Sequence, residues 1–203
     1  MRRYLASIIM VLIFPTLVAA QQPAPFSDLP VTDNFSSAEI AARGKPQERQ
    51  LTYAPWRKLC FKSATQESGA KMVCRTTING KLETGQVLVR LDLVEREGDP
   101  VKRMQIFVAA GSFLQPGIKL TVDQGTTVQI PYVICLTNAC IAGSVATDGL
   151  IEDMKKGQTL ALETVNFNLV GVITPLPLKE FAEVQAGPPS QIFEQRLEGD
   201  SKQ

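Results

Sequence analysis

Four cysteines and no histidine bound the chemistry open to this chain. Cys60 and Cys74 lie fourteen positions apart, while Cys135 and Cys140 enclose only Leu136, Thr137, Asn138 and Ala139. Cysteines so placed can act as a redox pair, as ligands of a soft metal, or as disulfide staples. A redox pair needs a reactive thiolate, commonly in Cys-x-x-Cys at a helix N-terminus, and neither pair has that spacing. A zinc site would have to recruit all four sulfurs, because no imidazole is available, and their spacing is not that of a zinc site. Four cysteines allow about three connectivities. Pairing of Cys60 with Cys74 and of Cys135 with Cys140 is favoured, since each pair flanks a turn-like stretch, "KSATQESGAK" and "LTNA". Neighbouring antiparallel strands bring residues so placed within bridging distance.

The lack of histidine also removes Ser-His-Asp, Cys-His and His-Glu-x-x-His chemistry. No Gly-x-Ser-x-Gly and no glycine-rich phosphate loop is present, and nothing in the pattern supports a Ser-Lys dyad. Glu152 and Asp153 are adjacent carboxylates, but they fall in a helical stretch and read as solvated charges. Trp56, the only tryptophan, reads as a core residue near a disulfide rather than a binding anchor. The expectation is therefore a non-enzyme with no catalytic residue, no metal site and no cofactor, and with its binding residues unassigned.

The elements that must position the cysteines begin after an export signal. Residues 1–20, "MRRYLASIIMVLIFPTLVAA", combine Arg2 and Arg3, an apolar run and a small-residue end, the pattern of a cleaved signal peptide. The run is shorter than the roughly 20 residues that span a bilayer and contains Pro15, so no transmembrane segment is expected in the mature protein. Cleavage would leave 183 of the 203 residues and, with the loss of two arginines, move the formal charge from +1 to −1. That near-neutrality argues against a nucleic-acid partner. Residues 21–50, rich in Pro, Gln and Ser, read as a flexible leader, with a short helix over about 37–43 capped by Ser36-Ser37-Ala38-Glu39.

From Leu51 to about residue 185 the pattern is that of one folded domain, followed by a tail at 186–203. Val87, Val89, Leu91 and Leu93 alternate with Arg90 and Asp92, Gly98-Asp99-Pro100 turns, and Met104, Ile106 and Val108 continue on the return strand. Ile118, Leu120 and Val122, then Val128, Ile130, Tyr132 and Ile134, repeat the logic; Pro131 places that second strand at an edge or in a bulge. Two more strands surround Asn166. One helix is expected at about 149–156, capped by Asp148, with Lys155 and Lys156 at its end and Gly157 just beyond. Some nine short strands joined by hairpins point to an all-β sandwich, with a closed barrel as the alternative.

Several of these residues together resemble a known family. Trp56-x-x-x-Cys60, Cys74, "FLQPGIKLTVDQG", Tyr132-x-x-Cys135, Cys140-x-Ala142, "MKKGQTL" and "PLPLKEFAE" are similar in order and spacing to the invasion-associated locus B (IalB) family of exported alphaproteobacterial proteins. The resemblance covers about residues 51–185. The chain departs from the family pattern at Ala139, where glycine is common, and at Pro175–Phe181, where Pro-x-Ser-Leu-x-Gly-Phe is common. The resemblance implies an immunoglobulin-like sandwich at the periplasm or cell surface, and it brings no catalytic residues.

The expected function is accordingly that of an exported interaction or virulence-associated protein, recognising an unidentified protein or cell-envelope partner through sandwich loops or a strand edge. The strand at Pro131 and the turn at 135–140 form one such surface. The alternative is a housekeeping periplasmic factor unrelated to host invasion. Ligand and oligomeric state are left open by the residues.

Overall fold

A computed structural model describes residues 40–63 and 71–195. The expected signal peptide, most of the expected leader and the Ser36–Glu39 capping box lie outside these residues; residues 40–42 are helical.

Alternation of apolar and polar side chains dictates strands, and thirteen form among the described residues. They are β1 (Gln47–Glu48), β2 (Thr52–Tyr53), β3 (Arg57–Ser63), β4 (Met72–Lys81), β5 (Val87–Arg96), β6 (Arg103–Ala109) and β7 (Ile118–Val122). β8 (Thr127–Ile130), β9 (Tyr132–Cys135), β10 (Ala139–Val145), β11 (Thr159–Val165), β12 (Gly171–Pro177) and β13 (Gln191–Gln195) follow. A smaller sheet runs in the order β1-β12-β11-β7-β8. The larger runs β13-β3-β4-β5-β6-β10-β9, with β2 beside β4. Both sheets keep open edges, so the fold is an all-β sandwich and not a closed barrel.

The core lies where the inward faces meet. From the larger sheet Leu91, Leu93, Met104 and Ile106 enter it, and from the smaller Ile118, Leu120, Leu160 and Leu176. Trp56 is buried there as well; its indole N–H donates to the Pro177 carbonyl at 2.8 Å and its ring meets Phe181 edge-on at 4.9 Å. The β5–β6 hairpin sets Val94 opposite Arg103, and Gly98 in the intervening turn has φ 75°, the left-handed region that favours glycine.

The helix Asp148–Lys156 packs Leu150, Ile151 and Met154 inward. Its cap is Thr147, one residue before the Asp148 expected from sequence: the Thr147 hydroxyl accepts from Leu150 N–H at 3.2 Å, leaving Asp148 as a first-turn acid. Gly157 ends the helix with an ordinary negative φ, so its role is spatial: a Cβ there would strike Val122 and the Asp153 carbonyl.

Other elements differ from the sequence expectation. The single strand expected across Pro131 is two strands, β8 in the smaller sheet and β9 in the larger, because Pro131 cannot donate to a continuous ladder. Ile134 therefore leaves the inward alternation and is exposed. In the stretch expected as leader, β1 pairs in parallel with β12. In the stretch expected as tail, β13 pairs in parallel with β3, and Phe193 stacks on Phe61 with ring centroids 5.0 Å apart. A short helix, Phe181–Ala186, precedes β13 and is anchored by the fully buried Phe181.

Candidate functional site

The cysteines are placed by strand register. Cys60 on β3 stands directly opposite Cys74 on β4, and Cys135 on β9 opposite Cys140 on β10. Each pair has Cα atoms 4.0 Å apart and is joined as a disulfide. Leu136 N–H donates to the Ala139 carbonyl at 2.7 Å, closing the hairpin at the next residue pair. Opposite pairs in an antiparallel ladder alternate between bonded and non-bonded, so Cys135 and Cys140 form the closer, non-bonded pair with side chains together. No cysteine is left free, so none presents a thiolate. Ala139 sits in β10 opposite Ala109, and it is not among the residues with positive φ, so this position makes no demand for glycine.

The remaining sequence candidates do not converge. The Glu152 carboxylate is 2.8 Å from Lys155 Nζ on the exposed helix face, and hydrogen bonding to that ammonium lowers its pKa. Trp56 is a core residue. Among the described residues no cluster of three or more His, Cys, Asp or Glu is suited to a metal ion.

One buried charge is absent from the sequence candidates. Asp92 on β5 is fully buried although it lies on the outward face of the larger sheet. Thr77, directly opposite on β4, donates its hydroxyl to Asp92 Oδ1 at 2.5 Å. Arg90 Nε and Arg75 Nη1 lie 3.1 and 3.7 Å from Oδ2. Arg90 is itself stacked on the Phe107 ring at 3.6 Å, and Arg75 lies over Phe61 at 5.5 Å. Burial raises the Asp92 pKa, opposed first by the Thr77 hydrogen bond and then by the two guanidinium groups. Period-two alternation correctly sends Arg90 and Asp92 outward, but it carries no sign that arginines and aromatic rings roof the carboxylate.

Among the surfaces open to a ligand, a cleft and a sheet edge stand out. A cleft of about 570 Å³ lies between the helical residues near Ile40 and the smaller sheet, with Lys119 Nζ 3.5 Å from Glu163 at its wall. At the edge of the larger sheet the stapled hairpin exposes Val133, Ile134 and Leu136. A register shift at Ile141/Ala142 locally distorts this edge.

Comparison with known proteins follows from this arrangement. The family model described as "Invasion associated locus B (IalB) protein" matches residues 56–189, the stretch that contains both staples. The chain belongs to the IalB family. A solved IalB structure, the invasion associated protein B from Bartonella henselae, is similar with a TM-score of 0.52 and 20% identity. The likeness covers 68% of this chain and 92% of that one, and it supports the shared fold. No curated protein matches the chain. The IalB match spans β3 through the Phe181–Ala186 helix; β1 and β13, which extend the two sheets at their edges, fall outside it. The two disulfides and IalB membership are those of an exported protein.

Proposed function

We propose that this IalB-family protein is an exported, non-catalytic interaction module of the cell envelope, residing in the periplasm or at the cell surface. The observation that carries the reading is the stapled edge of the larger sheet. Val133 is 70% exposed and Ile134 52%, on a strand whose outer backbone edge has no neighbour among the described strands. Exposed apolar residues on an open edge are an aggregation hazard unless a partner covers them. The Cys135–Cys140 link holds the hairpin in one geometry, which lowers the ordering cost of binding. An extended segment adding to β9 would gain backbone hydrogen bonds from the edge and side-chain contacts from Val133 and Ile134.

The test places a photocrosslinking amino acid at Ile134 of the full-length protein in its native cells, with Thr121 on the smaller sheet as control. Protein adducts at Ile134 well above those at Thr121 support the reading. Absence of adducts at both positions refutes it. Protease treatment of intact cells assigns the compartment: digestion places the protein at the surface, protection in the periplasm.

A further inference from the structure

The two outward faces of the sandwich differ in chemistry. The smaller sheet presents polar pairs, Thr121 beside Thr127 and Lys119 beside Glu163. The larger sheet presents arginines. Register puts Arg57 beside Thr77, Arg90 beside Phe107, Arg96 beside Val73 and Arg103 beside Val94, with Arg75 beside Val94 from the other side. Residues directly opposite in a ladder share a face, so all five arginines share the outward face with Asp92. Asp92 is the only carboxylate among the described outward positions of β3, β4, β5, β6 and β10, and it is already held by Arg75 and Arg90. Arg57, Arg96 and Arg103 remain exposed; Arg103 is 3.0 Å from Asp99 in the β5–β6 turn, which leaves Arg57 and Arg96 as the arginines of this face without an ion pair among the described residues.

Apolar groups lie among these cations. Phe61 and Phe193 stack at one end of the face, and Val145, 59% exposed, stands opposite Arg103 toward the other. Val133 reaches over Gly143 on the same side. Arginine and aromatic residues are the types enriched at the centres of protein interfaces.

We infer that the outward face of the larger sheet docks an acidic protein surface that carries its own apolar patch. The inference rests on the interaction reading above and names the surface and the partner's chemistry. The extent of the face fits a protein. Seven strands about 4.8 Å apart and some seven residues long, at about 3.3 Å each, cover about 700 Å². One side of a standard protein interface buries about 800 Å². Charge complementarity selects an acidic occupant, because its carboxylates would pair bidentately with the exposed guanidinium forks of Arg57 and Arg96, while Arg75 and Arg90 stay on Asp92. A second copy of this chain is disfavoured, since it would set arginine against arginine.

The test uses the full-length protein in its native cells with a photocrosslinking amino acid at Gln105, on the outward face of β6, or at Gln129, on that of β8. Crosslinked peptides are sequenced. The expected result is protein adducts at Gln105 that map to an acidic segment of the partner, with little at Gln129. The variant Arg57→Gln/Arg96→Gln should lower the Gln105 yield on the order of tenfold. The matching Arg→Lys variant should restore most of it. Neither variant touches Asp92, and an unchanged thermal midpoint shows that the fold is kept. Gln105 adducts that map to a basic segment, that consist of lipid, or that survive the Arg→Gln variant unchanged overturn the inference. So does sedimentation of the protein with phosphatidylglycerol vesicles in competition with those adducts. Adducts at Ile134 with none at Gln105 overturn this inference and leave the interaction reading standing.

Discussion

Glu180 is the residue whose replacement should most simply improve this fold. Its backbone has φ 73° and ψ −11°, and Phe181 N–H donates to the Leu178 carbonyl at 3.0 Å. That is the third position of a type II turn, where glycine is preferred. In the IalB pattern Pro-x-Ser-Leu-x-Gly-Phe, glycine falls at this position, and here a glutamate occupies it with no capping hydrogen bond from its side chain. A left-handed conformation costs an L-residue about 1–2 kcal/mol, while glycine loses about 0.5–1 kcal/mol of extra chain entropy on folding. Glu180→Gly should therefore stabilise the protein by about 0.7 kcal/mol. With a urea slope of about 2 kcal/mol/M, the unfolding midpoint rises by about 0.3 M. Glu180→Ala is the control. It removes the same carboxylate but keeps a Cβ, so its midpoint should stay near that of the wild type. If Glu180→Gly is no more stable than Glu180→Ala, backbone strain at this turn is not what distinguishes the residue, and the reasoning fails.

The disulfides differ in the loops they close. Removing Cys60–Cys74 by paired Ala substitution should cost about 3 kcal/mol and removing Cys135–Cys140 about 2 kcal/mol, in urea unfolding without reductant. Mass spectrometry of a non-reduced digest should recover these two linkages and no cross-pairing. Burial raises the Asp92 pKa, so its contribution to stability is full below the ordinary value of 3.8 and is lost as pH rises through the higher native value. The stability of wild type relative to Asp92→Asn should thus improve as pH falls from neutral to about 4; a change in the opposite direction contradicts the assignment. Trp56→Phe loses the hydrogen bond to the Pro177 carbonyl as well as ring volume, and should lower stability by about 2 kcal/mol by thermal or urea unfolding.

What the sequence made legible follows from the range of the interactions involved. The alternations at Val89–Leu93, Met104–Val108 and Ile118–Val122 are local, and the structure buries each as expected. The helix at Asp148–Lys156 is equally local, and its cap is misplaced only because Thr147 and Asp148 are both competent capping residues side by side. Pro131 was legible as an interruption, but whether it produces a bulge or a change of sheet depends on what lies across the sandwich. β13 carries only Ile192 and Phe193 as apolar residues, too few to announce a strand. It is held instead by pairing with β3, more than a hundred residues earlier in the chain.

The outward face shows where a one-dimensional pattern stops. Arg90 and Asp92 lie at outward positions, and an outward charge reads as a hydrated one. The register then sets Thr77 against Asp92 and Phe107 against Arg90, so the rings hold the guanidinium groups and those groups seal the carboxylate from water. Once Asp92 is sealed, it no longer offers a carboxylate to the surface, and with Arg103 paired to Asp99, the exposed Arg57 and Arg96 are left in excess on that side. The near-zero charge of the whole chain hides this imbalance because the other face, the turns and the helix carry compensating acids. An even global charge is thus compatible with a cationic face, and it is the face, not the total, that an acidic partner would meet.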